Sequence, residues 1–300
     1  GADIFWTPNS SSNSATVYLS ASITPCLNNV SQYPDITKAK VTFAYRNIDG
    51  SVTPVTGASN LPVSLANPGD PSVGTASAIV QMSLSSSAVT NSFQLAIIVG
   101  GDFKRNVPQD DTTITIAKPE PGGEIVGGGV ILANSVTSGG TLAAEAGTNV
   151  NFSYGISFTK SLTNPQGQAI VMVTAANGHT YQIKSNSIST LQVVNPGDRI
   201  SNGTIDGTCH ATKECAMFTS KSSIVDLTTG ASIDGGSPFQ LTMSDNGASG
   251  DTLGITVNNA KTGGLWFSSN WNANVGKTIE AVAVSSNGTA TDTITVTKAT

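Results

Sequence analysis

Charge is scarce in this 300-residue chain. Asp, Glu, Lys and Arg together make up 11% of it, less than half the share usual in soluble globular proteins, and Ser, Thr, Gly and Asn fill the polar positions instead. The 14 basic residues are outnumbered by 19 acidic ones, for a net charge of −5, and no basic cluster stands ready to neutralise phosphates. Nucleic acid is thereby excluded as a partner. The longest apolar run, around residues 93–99, falls far short of the roughly 20 residues a membrane helix needs, so no membrane insertion is expected. Helical periodicity is almost missing. Neither Met nor an apolar leader opens the chain at Gly1, and it is read as a mature segment without its export signal.

Histidine is equally sparse, and this weighs against catalysis. A Ser or Cys nucleophile needs an aligned base, yet the two histidines, His179 beside a turn and His210 inside a cysteine loop, read as exposed turn residues. No Gly-x-Ser-x-Gly elbow occurs. The run Gly127-Gly128-Gly129 opens a strand rather than a helix, so it reads as a close backbone approach or a bulge and not as a phosphate cradle. Glu124, Glu145, Glu214 and Glu280 are the carboxylates left for a glycosidase-type pair, and no signature surrounds them. The chain is read as a non-enzyme without a cofactor.

What the sequence does contain is period-2 alternation broken by turn residues. Residues 169–184 form the clearest hairpin, turning at Asn177-Gly178, a pair suited to a type I′ turn. Residues 41–45 turn at Asp49-Gly50 into 52–55, and residues 281–284 turn at Asn287-Gly288 into 293–296. With 38% apolar residues the chain has enough core formers to fold, and short, evenly spaced strands indicate sandwiches or barrels. Two prolines and two glycines at Pro119-Glu120-Pro121-Gly122-Gly123 mark a linker. The fold class expected is therefore all-β with two domains. Residues 1–118, with about seven strands, form an immunoglobulin-like β-sandwich lacking the Cys-Trp-Cys core of antibody domains; residues 119–123 are the Pro/Gly linker; and residues 124–300 form a larger antiparallel β-sandwich or barrel-like domain.

Three cysteines are present. Cys209 and Cys215 bracket a short polar loop on a hairpin, which in an oxidising compartment favours a local disulfide. The competing reading is a metal site with His210, although a six-residue step is not a zinc spacing. Cys26 has no evident mate and is read as a free thiol or an intermolecular bridge.

The second segment carries more specific wording: Ile125-Val126-Gly127-Gly128-Gly129-Val130, Asn151-Phe152-Ser153-Tyr154-Gly155, Asn164-Pro165-Gln166-Gly167, Leu241-Thr242-Met243-Ser244-Asp245 and Gly263-Gly264-Leu265-Trp266-Phe267-Ser268-Ser269-Asn270-Trp271. In this order it resembles the β-rich module that follows bacterial immunoglobulin-like repeats near the C-terminus of large secreted and cell-surface proteins. Residues 93–103 followed by 110–118 are similar to the last two strands of such a repeat. The 209–215 loop departs as an insertion, and one repeat-like unit stands in place of an array. The resemblance implies a secreted, extracellular, cell-surface location in a bacterium and a structural or adhesive role, and supplies no catalytic residues.

Three features are candidate sites. Trp266 and Trp271 are read either as core or as a stacking platform for sugar rings. Asp245 and Asp251, in an oxygen-rich loop, are read as a plain turn or as calcium ligands. Ile4-Phe5-Trp6 is an apolar strand cut off by the flexible 9–14 stretch; it pairs in its own domain or adds to a neighbour's sheet edge. The function classes are accordingly a non-catalytic adhesive or structural surface module, a self-assembling filament or sheet subunit, and a carbohydrate-binding module. The partners are other protein subunits, a homo-polymer of the chain itself, or cell-surface glycans.

Overall fold

The computed structural model describes residues 3–25, 35–119, 122–162, 164–285 and 293–298. The chain is all-β, with 23 strands in several mostly antiparallel sheets among the described residues. The first half supplies β1 (Asp3–Trp6), β2 (Ser14–Ile23), β3 (Ala39–Arg46), β4 (Val52–Pro54), β5 (Leu61–Pro62), β6 (Ser64–Asn67), β7 (Asp70–Ser83), β8 (Thr90–Gly101) and β9 (Thr112–Ala117). One sheet runs β1-β9-β8-β3-β4 with β5 on β3, and the other β2-β7-β6. Alternation drives their packing. Ala15, Val17, Leu19, Ala21 and Ile23 of β2 point inward to one apolar cluster with Val41 and Phe43 of β3, Leu95 of β8, and Ile114 and Ile116 of β9, while Thr16, Ser20 and Ser22 between them lie outside it.

The second half supplies β10 (Glu124–Leu132), β11 (Asn149–Phe158), β12 (Pro165–Thr174), β13 (Thr180–Val194), β14 (Arg199–Ser201), β15 (Ile205–Thr208), β16 (Cys215–Asp226), β17 (Ser232–Ser244), β18 (Thr252–Asn258), β19 (Leu265–Ser268), β20 (Trp271–Asn272), β21 (Lys277–Ile279), β22 (Ala281–Val282) and β23 (Ile294–Thr297). A ten-stranded sheet runs β19-β18-β17-β16-β13-β12-β11-β10-β23. It curls onto itself: β22 pairs with β18, and Val284, two residues on, bridges to Val130 of β10. One segment thus bonds both flanks of the sheet, which wraps a core including Phe152, Tyr154, Phe218, Phe239 and Phe267. A small sheet, β14-β15-β21-β20, lies over β17 and β18.

The hairpin at residues 169–184 is present with Thr174 opposite Thr180, but its turn differs from the one expected. Gly178 donates to the Ala175 carbonyl at 2.8 Å and has φ of +79°, whereas Asn177 is not left-handed. This is a type I turn closed by a left-handed glycine, the arrangement of three-residue hairpins; Asn177 spends its side chain on the His179 amide instead (3.0 Å). The hairpin expected from 281–284 and 293–296 is replaced by non-local pairing: β22 goes to β18 and β23 to β10, and its turn at Asn287-Gly288 lies outside the described residues, as do Cys26 and, in the linker, Glu120 and Pro121. In the glycine run, a Cβ on Gly127 would meet the Tyr154 ring at 2.5 Å and one on Gly129 the Val284 carbonyl at 2.5 Å. Both are close approaches, and β10 keeps an unbroken register with β11.

Candidate functional site

The first and second halves of the chain meet through a junction of apolar and polar contacts. Strand β1 is the centre of that junction. It pairs in parallel with β9, Ile4 opposite Thr115 and Phe5 opposite Ile116, and strand alternation gives its two faces different owners. Phe5 enters the sandwich core. Trp6 and Ile4 turn the other way, onto Ile200, Ile205, Cys209, Cys215 and Met217 of the second half. At the start of the strand the buried Asp3 carboxylate accepts from Lys277 Nζ at 2.6 Å and from Ser201 Oγ at 2.9 Å, and Lys277 Nζ also donates to Ser201 Oγ at 3.0 Å. β1 is a splint with one side in each half.

The outward face of the three-stranded sheet completes the contact. Tyr18, Thr75 and Ser77 alternate with core residues and, by pattern alone, face solvent, yet all three are buried. Asn258 Nδ2 donates to Ser77 Oγ (3.1 Å), Ser77 Oγ to the Gly263 carbonyl, and the Leu265 amide to Thr75 Oγ1 (3.3 Å). Burial pushes the Tyr18 phenol up to about 12, against its hydrogen bonds with Thr219 and Ser189. The free edge of β2 is stopped by two glycines, since a Cβ on Gly203 would strike the Tyr18 carbonyl and one on Gly276 the Ser22 side chain. Covering an edge in this way removes a template for aggregation. Beside it lies a cleft of about 530 Å³ whose walls include Ser20, Ser22, Arg105, Asp110, Asn274 and Lys277.

Removing the ammonium from this junction is expected to be costly. Lys277→Met leaves the Asp3 charge with one hydroxyl donor in a poorly solvated site, and should cost about 2 kcal/mol of unfolding free energy. A second change, Asp3→Leu, made on top of it, should recover part of the loss in urea titrations; an additive loss would show that the pair is not coupled.

No family model, curated protein or solved structure matches this chain.

The candidate residues read from sequence are distributed as follows. Cys209 and Cys215 form a disulfide, with Cα atoms 5.1 Å apart. Trp266 and Trp271 are each only 8% exposed, which corrects the sugar-stacking reading: a stacking platform needs a ring face open to solvent. Trp266 belongs to the large core. Trp271 packs with Leu265 against Ala66 of the first half, another anchor of the junction. β19 is covered on both faces because the first half lies where solvent would be.

Asp245 and Asp251 serve different partners. Asp245 Oδ1 accepts from the Gly247 amide at 3.1 Å and lies 3.7 Å from Lys213 Nζ. Asp251, fully buried, accepts from the amides of Asn246 (2.8 Å), Thr293 (2.6 Å) and Ile294 (2.6 Å). It ties β23 to the loop before β18. Asp251→Ala should cost about 2 kcal/mol by stranding those amides, and should show first as faster amide exchange at Thr293 and Ile294.

Two residues have partners that the sequence does not reveal. His179 pairs with Asp226 at 2.7 Å, and against burial, which raises it, the hydrogen bonds from His179, Thr229 and Thr228 hold the Asp226 carboxyl down at about 2. It binds two hairpin ends together. Glu280 lies between the small sheet and β17 and β18, where Ser244 Oγ (2.8 Å) and Thr252 Oγ1 (2.6 Å) donate to it. Burial pushes its carboxyl up to about 7, against the hydroxyls of Thr252, Ser244 and Thr242, with Asp206 nearby adding to the rise. Among the described residues no three His, Cys, Asp or Glu side chains gather as metal ligands do, and no helix is long and apolar enough to cross a membrane.

Proposed function

We propose that this chain is a non-catalytic structural or adhesive module of a bacterial cell surface, in which an immunoglobulin-like sandwich and a larger β-domain act as one stiff unit. The observation that carries the reading is the junction. A surface spacer must transmit load between its parts without bending, and here β1, Tyr18, Ser77 and Trp271 tie the halves through apolar packing and directed hydrogen bonds. The strand neighbours support the immunoglobulin-like part: β2-β7-β6 stand as B, E and D, and β3-β8-β9 as C, F and G. The wording at residues 125–130 and 263–271 supports the bacterial surface setting. A hydroxyl-rich surface of low charge suits prolonged exposure outside the cell.

The filament reading requires Ile4-Phe5-Trp6 to pair with another copy, and that strand is already held at both faces within its own chain. Sugar binding loses its platform with Trp266 and Trp271 inside. The deciding experiment is immunolabelling of intact cells of the source organism. Labelling without permeabilisation is the expected result, and label appearing only after permeabilisation would overturn the location. Negative staining of the purified chain at high concentration should show single particles; regular fibres would restore the assembly reading.

A further inference from the structure

The disulfide stands at an unusual place. β15 ends at Thr208 and β16 begins at Cys215, but the two strands belong to different sheets: β15 pairs with β14 and β21, β16 with β13 and β17. No ladder holds one to the other. The bond between Cys209 and Cys215 is therefore a covalent tie between the small sheet and the ten-stranded sheet, and both cysteines are buried. Trp6 rests on that seam, in one cluster with the two cysteines, with Ile200 and Ile205 from the small sheet, and with Met217 from the large one. Within the intervening loop the Thr212 amide donates to His210 Nδ1 at 3.3 Å, and Lys213 Nζ lies 3.7 Å from Asp245 Oδ1. The Cys209 amide donates to the Asp198 carbonyl (2.9 Å) and the Gly197 amide to the His210 carbonyl (2.8 Å), both back toward the loop that precedes β14, while toward the ten-stranded sheet Ser244 Oγ donates to the Thr208 carbonyl (3.2 Å) and the Asp245 amide to the Glu214 carbonyl (3.3 Å).

We propose that the Cys209–Cys215 disulfide is a redox latch on one part of the junction: oxidised, it holds the two-sheet platform on which Trp6 sits; reduced, it loosens β1 on that platform while the ties through Ser77, Thr75 and Trp271 remain. The reductant is a small dithiol. It delivers two electrons and two protons, the sulfur–sulfur bond breaks to give two thiols, and the dithiol closes to its own cyclic disulfide. The coupling is local and physical. Once the seam can widen, the indole loses its close contacts on one side, and such contacts decay steeply with separation. The salt bridge from Asp3 to Lys277 then moves with the small sheet, while Met217, on the other side of the indole, stays with the large one.

The test is amide hydrogen exchange on the full chain, oxidised and after dithiothreitol treatment, with intact mass showing the gain of two hydrogens. Protection of residues 4–6 and 199–208 should fall about tenfold or more on reduction, while the centres of β7 and β8 keep theirs. The double variant Cys209→Ser/Cys215→Ser should behave as the reduced protein without any reductant. Unchanged protection at residues 4–6 in fully reduced protein would overturn the latch. So would a uniform loss across both halves, which would make the bond a general staple. If the double variant fails to fold, Trp6→Leu supplies the second arm: its 199–208 segment should already exchange quickly and respond less than threefold to reduction. A response equal to the unaltered protein's would overturn the proposal.

Discussion

Replacing Trp6 by alanine is expected to cost about 4 kcal/mol of unfolding free energy and to free the two halves from one another before either melts. The indole fills a site made by Ile200, Ile205, Met217 and the two cysteines, and truncation leaves a cavity walled by two sheets that are themselves fixed. Collapse is therefore limited, which places the cost toward the upper part of the range for large-to-small changes. Phe5→Ala is the informative control. It removes a ring of similar burial from the adjacent position, but from the sandwich core. Urea unfolding followed with domain-specific probes should show Trp6→Ala splitting one transition into two, and Phe5→Ala lowering the first half alone. A single, unsplit transition in the Trp6 variant would show that β1 does not couple the halves.

Glu280→Gln is expected to stabilise the chain at alkaline pH. The Glu280 carboxyl is raised from 4.5 to about 7 in the folded state, chiefly by burial, so the fold binds its proton more tightly than the unfolded chain does. The stabilising share is complete below about pH 4.5 and is lost as pH rises through about 7. Above that, the fold carries an ionised carboxylate between two sheets at an expense of about 3 kcal/mol relative to the unfolded chain. The charged and titratable groups around it are Asp206 of β15, itself paired to Arg199 of β14, and Tyr154, whose phenol burial raises, with further increments from Asp251 and Glu280. The amide keeps the side chain's shape and an acceptor for Ser244 and Thr252. At pH 8 the variant should exceed the unaltered protein by about 2–3 kcal/mol, and at pH 4.5 the two should agree. Equal slopes of stability against pH between 5 and 8 would show that Glu280 does not titrate in that window.

The strands were legible from sequence because each carries its own period: β2, β11 and β12 announce a buried face without reference to any partner. Partners were less legible. β22 and β23 read as one hairpin because they are near in sequence, but pairing across a curled sheet is decided by closure, which leaves no local mark. The junction was hidden for a sharper reason. Tyr18, Thr75 and Ser77 alternate as solvent-facing residues do, and nothing in a period of two says whether the far side of a sheet meets water or another part of the chain. Trp266 and Trp271 are ambiguous on the same ground, and the apolar content of Ile4-Phe5-Trp6, which leaves pairing in its own domain and addition to a neighbour's edge both open, reflects two buried faces. A hint lay in Asp3 and Lys277, two charges set in otherwise apolar and hydroxyl-rich surroundings near opposite ends of the sequence. Glu280 had no such hint, since its carboxyl is set by burial and by four residues drawn from three strands, Asp206 of β15, Thr242 and Ser244 of β17 and Thr252 of β18.

The bond between Asp3 and Lys277 spans 274 positions of chain. On a ribosome adding roughly 5 to 20 residues each second, β1 waits on the order of 15 to 55 seconds before its last partner exists. Its pairing with β9 can form much earlier, yet that alone leaves the Trp6 side bare. β1 is thus made long before its junction can close, and until Met217 has been added the Trp6 side chain stays open to whatever it meets. Closure of the junction is paced by the sequence between its two ends, and any factor that shields β1 in the meantime would act on a single indole.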